Sequence, residues 1–420
     1  MNRKKRINGE TLYQLFLRPF TPEGTIAAAE KRLPEVADLG VKILYLCPVA
    51  VADDDMDREN WSPRQIASGC NNPRNPYRIS DYTKIDPEYG TEDDMKSFIR
   101  TAHSLGMKVL LDLVYCHAGP SFLKDHPGFA KGLTEYRFPE LDFSNPAVCG
   151  YLRDNMRYYA FELDADGFRC DMGDKVPLEF WQPAVEELRK IKPDLIMFCE
   201  GIPQREDELQ LGVFDLYYNW SWSQIRHEIL RTGAEKVSAI TGPMLTSYPC
   251  ARYFENHDFA NDCYDSRIEK VIGAEGIEAL LFMDFMLDGV PFLYNGVEFC
   301  DTARHSIFAN PGEFAIDRSG NAEERRKFIK ALTQLRLKTP ELYQESVDAV
   351  SAENDVLRFH RGGKIFCAVN LGREEQEITI PAGADVFIKS KKAQQFENKV
   401  ILPQYGFAAF QRKVKNEQTE

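Results

Sequence analysis

Short runs of β-branched and aromatic side chains alternate along the chain with longer segments whose apolar residues recur at helical spacing, the pattern of parallel strands joined by crossover helices. The strand-like runs are residues 12–17, 42–47, 108–114, 165–170, 195–199, 213–217, 251–254 and 290–294. Between them, helical periodicity marks residues 25–39, 92–105, 146–163, 177–191 and 276–287, several opened by Thr, Pro or Asn at a capping position. Eight strand–helix pairs over about 340 residues predict an α/β fold, a (β/α)8 TIM barrel. The alternative, an open doubly wound sheet, ordinarily carries a Gly-rich phosphate turn after its first strand, and none is found here.

Two connections are long, residues 48–82 after the second strand and 117–145 after the third. Both leave the C-terminal ends of strands, the end on which such barrels build active sites. From residue 342 the pattern changes to short alternating runs at 356–360, 365–370, 377–380, 386–389 and 407–411, which predict a small antiparallel β domain. The expected organisation is therefore a barrel over 1–341, carrying a short insertion subdomain at about 117–145, and a β-sandwich-like domain over 342–420. The polar tail, 412–420, is expected to fray.

Composition narrows the function. With 420 residues, 43% of them hydrophobic, the chain can bury a large core. A formal net charge of −13 argues against nucleic acid, which needs a basic surface to displace counterions, and favours a neutral ligand. The basic start Met1-Asn2-Arg3-Lys4-Lys5-Arg6 is followed by Ile7-Asn8-Gly9-Glu10-Thr11 where a secretion signal needs an apolar run. No stretch approaches the roughly 20 apolar residues of a membrane helix. The ten cysteines form no CxxC pair and have no His at zinc spacing, and several, such as Cys47 and Cys199, lie in apolar runs; they read as reduced, buried thiols. A cytoplasmic location, with neither membrane nor nucleic acid as partner, is the expectation.

Acidic and histidine residues gather just after the strands. The third runs into Asp112-Leu113-Val114-Tyr115-Cys116-His117, and the fourth into Gly167-Phe168-Arg169-Cys170-Asp171. Arg169 and Asp171 share a face because strand side chains alternate, so the guanidinium can hold the carboxylate ionised. The fifth strand ends in Glu200 and the seventh in Glu255-Asn256-His257-Asp258. A lone acid after a strand is usually a helix cap, but three converging on one mouth suit glycoside hydrolysis, in which one carboxylate attacks the anomeric carbon and another protonates the leaving oxygen. Glu200, after the apolar Ile196-Met197-Phe198, is the candidate for a raised pKa.

In these blocks, and in their order, the chain resembles the α-amylase superfamily over roughly residues 11–340, with further similar segments at 40–49, Asn75-Pro76-Tyr77, Asp81-Tyr82, 85–91 and 289–298. The resemblance implies a retaining glycoside hydrolase acting on α-glucosidic bonds, α-1,4 above all, in malto-oligosaccharides or related α-glucans. It implies Asp171 as nucleophile, Glu200 as acid/base and Asp258 as a carboxylate that binds sugar hydroxyls and helps distort the ring. Among substrate-binding residues, His117 and His257 would hydrogen-bond the sugar, Tyr77 would stack on it, and Arg169 would complete the set.

Two departures qualify this. The family's usual Asn ahead of the first-block histidine, a frequent calcium ligand, is Cys116 here, and thiols are poor partners for a hard cation; no cofactor is expected to be required, and calcium is not expected at that position. After Asp171, where many amylases carry a Lys-His pair on the leaving-group side, stands Met172-Gly173-Asp174-Lys175. A transglycosylase or disaccharide phosphorylase on the same scaffold is the first alternative, and a non-catalytic binding member of the family the second, against which all three carboxylates are retained.

Overall fold

The computed structural model describes residues 7, 9–225, 233–263, 267–320 and 322–412; the basic start and the tail beyond Arg412 lie outside them. Strands packed inward on one face and against helices on the other are buried on both, so they read as unbroken apolar runs rather than alternating ones. Eight such strands form one sheet: Leu12–Leu15 (β1), Ile43–Leu46 (β2), Lys108–Val114 (β3), Gly167–Asp171 (β4), Ile196–Cys199 (β5), Leu216–Tyr217 (β6), Ala251–Arg252 (β7) and Val290–Tyr294 (β8). All neighbours are parallel, and β1 pairs with both β2 and β8, as in Leu12 with Ile43 and Phe292. A parallel bridge from Tyr217 to Cys250 joins β6 to the start of β7 and closes the barrel. Gly167 sits where β4 and β5 come closest: a Cβ there would lie 2.0 Å from the Ile196 carbonyl oxygen, so only glycine fits.

The sequence pattern placed every barrel strand but overran some ends. β1 stops at Leu15, because Leu17–Phe20 turns into a short helix. β6 and β7 keep only two paired residues each, and Tyr253 to Asn256 leave the ladder to reach the mouth of the barrel. The helix expected over 25–39 is two, Ile26–Glu30 and Leu33–Asp38, because Pro34 lacks an N–H and its ring clashes with the carbonyl four residues back. Glu92–Ser104 begins with a Thr91/Asp94 capping box and buries Met95, Phe98, Ile99 and Ala102. The helix between β7 and β8 begins at Ile268, earlier than expected, and kinks at Gly273.

The two long connections carry structure of their own. In the first, Ala50–Ala52 pairs with Ile79–Ile85 and a short helix, Pro63–Ala67, stands over the barrel mouth. In the second, Ala130–Leu133 pairs with Pro139–Leu141 as a hairpin. They are tied together: Gly119 N–H donates to the Ile79 carbonyl at 2.6 Å and Tyr82 hydroxyl to that of His117 at 2.8 Å.

Past the barrel, Val347–Glu353 (β9), Val356–Arg361 (β10), Ile365–Asn370 (β11), Ala384–Lys389 (β13) and Phe407–Arg412 (β16) form a five-stranded antiparallel sheet. Gln376–Thr379 (β12), Gln394–Gln395 (β14) and Lys399–Leu402 (β15) form a second, three-stranded one. Val356, Ala368, Ile378, Val400, Leu402 and Phe410 pack together there. Arg361 reaches from β10 to the carbonyls of Met286, Glu341 and Glu345, stitching the sheet to the end of the helix before β8 and to the segment leading into β9. All ten cysteines are free. No described helix is long and apolar enough to cross a membrane.

Candidate active site

The strand ends deliver their polar residues to one place. Asp112 lies in β3, Arg169 and Asp171 in β4, and Glu200 follows β5, with its N–H bonded to the Cys170 carbonyl at 3.0 Å. Asp258 sits in the first turn of His257–Asp262, a short helix capped by Asn256 just after β7. Arg169 is the hub. Its Nη1 donates to both oxygens of Asp112 at 2.9 and 3.0 Å and to Asp171 Oδ1 at 2.8 Å, and its Nη2 forms an ion pair with Glu200 Oε2 at 2.7 Å. The rings of Tyr45, Tyr77 and Tyr218 surround the guanidinium, 5.3–6.0 Å from it. Glu200 Oε2 also accepts the Met172 N–H at 2.9 Å, a bond for which Met172 adopts a left-handed φ of 44°. One oxygen of each carboxyl is thus held, while Asp171 Oδ2 and Glu200 Oε1 keep no hydrogen bond among the described residues.

The histidines are held by a chain of hydrogen bonds that fixes their protons. The His257 backbone N–H donates to Gln14 Oε1 at 3.2 Å, so the Gln14 amide must turn its Nε2 toward His257 Nδ1, 2.7 Å away. Nδ1 is therefore an acceptor, and the ring proton sits on Nε2, 2.7 Å from the Tyr77 hydroxyl and 3.4 Å from Asp258 Oδ2. Tyr77 in turn donates to Asp112 Oδ2 at 3.2 Å. Both ring nitrogens of His257 are engaged within the protein, and the Tyr77 ring stacks on it at 5.2 Å. His117 donates from Nε2 to the Tyr77 carbonyl at 2.8 Å, leaving its buried Nδ1 without a partner among the described residues.

These groups line one cavity of about 100 Å³. Tyr77, His117, Asp171, Glu200, His257 and Asp258 meet there, as the sequence placed them. Arg169 does not line it, lying fully buried and holding the carboxylates in place. The sequence reading missed Arg64, Asn75, Tyr136, Phe138, Met172, Ile307 and Phe308, which also line the cavity, and Gln14 behind it. Gln14 had left a signal, a polar residue inside the apolar run Leu12-Tyr13-Gln14-Leu15. Arg64, on the short Pro63–Ala67 helix of the first long connection, and Tyr136, in a turn of the second, had left none.

A family model, the α-amylase catalytic domain, matches residues 5–127. The α-amylase MalA of Haloarcula japonica is 27% identical over 415 residues, covering 89% of this chain and 57% of the relative, so the chain spans little more than half of that protein. A cyclomaltodextrinase of Geobacillus thermopakistaniensis is 21% identical over 431 residues, covering 92% of this chain and 70% of the relative. The crystal structure of an α-amylase from Lactobacillus plantarum superimposes with a TM-score of 0.76 over 97% of this chain and 100% of that one, at 23% identity, a likeness of fold. Together these comparisons support a likeness to the α-amylase superfamily.

Within the site, burial and charge set the carboxyls apart. Burial pushes Glu200 up to about 8; Arg169 opposes this, and Asp171 and Asp258 reinforce it. The sequence reading held that Arg169 lowers the proton affinity of Asp171. The guanidinium does pull it down, but burial and Asp112 outweigh that pull, and Asp171 stands at about 6. Asp258 goes the other way: burial raises it, yet His257, Arg64 and Arg169 together hold it well below the usual carboxylate range. Burial lowers His117 and His257 to about 4, so both are neutral near pH 7.

Cys116, where the resemblance puts a calcium-ligating Asn, presents the wrong chemistry for calcium. Burial raises the Cys116 thiol to about 12, which keeps it protonated, and the neighbouring Lys131 ammonium pairs with Glu140 at 3.0 Å. A neutral thiol beside a fixed cation does not fit a hard dication. Among the described residues, no group of three or more His, Cys, Asp or Glu side chains could hold a metal ion.

Proposed function

We propose that this chain is a retaining glycoside hydrolase that cleaves α-glucosidic bonds, chiefly α-1,4, in malto-oligosaccharides or related α-glucans through a covalent glycosyl-enzyme. The observation that carries the reading is the single buried guanidinium of Arg169, paired with both Asp171 and Glu200 while their proton affinities separate, about 6 against about 8. Near pH 7 one is a carboxylate and the other an acid, the pair that retaining hydrolysis needs. Two carboxyls sharing one guanidinium suit the retaining spacing of about 5–5.5 Å better than the wider gap that admits a water between them.

In this mechanism Asp171 Oδ2 attacks the anomeric carbon while Glu200 Oε1 gives its proton to the departing oxygen. Glu200, now ionised, takes a proton from water, whose oxygen displaces Asp171 and restores the original anomer. Asp258, ionised throughout, accepts hydrogen bonds from sugar hydroxyls, and His117 Nδ1 is placed to accept another. Tyr77 offers its ring to the sugar. The amylase and cyclomaltodextrinase names of the relatives support an α-glucan as substrate, and the ten free thiols support a reducing compartment such as the cytoplasm.

A second reading, transfer to a sugar or phosphate acceptor, is favoured by the apolar wall beside Glu200, where Met172, Tyr136 and Phe138 line the cavity. Incubation with maltose, maltotriose, maltodextrins, sucrose and trehalose, with and without phosphate, tests both. Shorter oligosaccharides alone mean hydrolysis; longer products or sugar phosphates mean transfer; no product from any of them overturns the proposal.

A further inference from the structure

Asp258 is gripped from a distant part of the chain. Arg64, on the Pro63–Ala67 helix of the first long connection, donates from Nη1 to Asp258 Oδ1 at 2.8 Å and from Nη2 to the Asp258 backbone carbonyl at 3.1 Å. Its Nε donates to Asp262 Oδ1 at 2.8 Å, one turn further along the same short helix. Three donors of one planar fork therefore meet three acceptors on one helical turn, a geometry that a lysine cannot reproduce. Arg64 also lines the cavity, which at about 100 Å³ is well below the 300–1,000 Å³ of ordinary small-molecule sites.

We propose that Arg64 is a positioning residue that keeps Asp258 ionised and aimed at the sugar, making the connection between β2 and β3 a determinant of substrate binding. The inference rests on the functional reading above and deepens it. The groups that face Asp258 show why Arg64 is the one that matters. His257, beside it, is neutral above about pH 4, so its positive charge is absent in the working range. Arg169 of β4 is committed to three other carboxylates. Asp171 and Glu200 face Asp258 with charge of its own sign or none, and Asp262 draws on Arg64 from outside. The hydroxyls of Tyr136, Tyr218 and Tyr253 titrate above this range. Arg64 is left as the permanent cation in direct contact with the carboxylate.

An ionised Asp258 can accept two sugar hydroxyls; a protonated one loses an acceptor and no longer holds its geometry. The test reads binding rather than turnover. In an Asp171→Asn background, maltotriose affinity is measured by calorimetry across pH 4–8 with and without Arg64→Ala. With Arg64 in place, affinity is expected to stay flat toward acid. Without it, affinity is expected to fall roughly tenfold for each pH unit below the raised Asp258 pKa. Arg64→Lys keeps the charge and should restore the flat profile at a weaker overall affinity. Arg64→Gln, similar in length but uncharged, should follow Arg64→Ala and serves if the alanine variant does not fold. Identical pH profiles with and without the Arg64 charge overturn the inference while leaving the functional proposal standing. No maltotriose binding even with Arg64 present removes the functional proposal and this inference with it.

Discussion

Gln14 offers the most exacting test of the hydrogen-bond chain behind the site. Gln14→Leu keeps much of the volume but removes the acceptor of the His257 N–H at 3.2 Å and the donor to His257 Nδ1 at 2.7 Å. Both partners are buried, so each is left unsatisfied at about 1–3 kcal/mol, offset by about 1 kcal/mol from the added apolar burial. The net expectation is a destabilisation of about 1–5 kcal/mol, read as a lower urea midpoint at unchanged slope. The imidazole also loses the contact that assigns its proton to Nε2, so the link through Tyr77 to Asp112 loosens and Tyr77 no longer lies fixed beneath the sugar. A misplacement of about 1 Å can cost on the order of 10²-fold, so kcat/KM on maltotriose should fall by about 10- to 100-fold. Gln14→Glu separates the two bonds, since it keeps an acceptor for the N–H but faces Nδ1 with a second acceptor; the ring should then take up a proton, raising the His257 pKa seen by NMR. A Gln14→Leu protein that unfolds at the same urea concentration and turns over at the same rate would refute the chain.

Three further outcomes follow from the charges and donors. Asp171 must be ionised and Glu200 protonated, so kcat/KM should fall as pH drops through about 6 and as it rises through about 8; a profile flat across both would contradict the assignment. Asp284, buried on the helix between β7 and β8 and bonded to Trp222 Nε1 at 2.5 Å, is pushed up to about 8 by burial. The native state therefore keeps a proton that the unfolded chain releases near pH 4, and stability falls as pH rises from about 4 to 8; Asp284→Asn should raise the melting temperature more at pH 8 than at pH 5, and an equal gain at both would refute this. Prolonged EDTA treatment should leave activity on maltodextrins unchanged, whereas loss that calcium restores would show that other ligands replace the one missing at Cys116.

The barrel was legible because parallel strands buried on both faces write their position as continuous apolar runs, and β1 to β8 all appear that way. What blurred were ends decided by single residues: Pro34 divides a helix whose apolar spacing continues through it, and β6 and β7 shorten where only a bridge closes the ring. In the C-terminal sheets, β9, β14 and β15 went unread: β9 is largely exposed, β14 is two exposed glutamines, and β15 is a four-residue run whose Val400-Ile401-Leu402 is unbroken rather than alternating. Asp171, Glu200, Asp258, His117, His257 and Tyr77 were legible because each follows a strand or stands in a family block. Arg64 was not, since it lies 194 residues from Asp258 and on a five-residue helix inside a long connection whose fold no local pattern announces. Nor could spacing weigh burial against charge at Asp171, a balance that depends on how deeply the assembled barrel encloses it.

The central claim is the division of labour between Asp171 and Glu200, and Glu200→Ala tests it most directly. Action on maltodextrins should nearly cease, since their sugar leaving group needs the proton that Glu200 supplies. An aryl α-glycoside with a good leaving group should still glycosylate Asp171 but turn over slowly, and azide, which needs no base, should speed turnover and yield the α-glycosyl azide. Asp171→Ala should behave differently: no glycosyl intermediate can form, so azide can only displace the leaving group directly and give the inverted β-glycosyl azide. Near-normal maltodextrin hydrolysis by Glu200→Ala, or a β-glycosyl azide as its rescued product, would contradict the account.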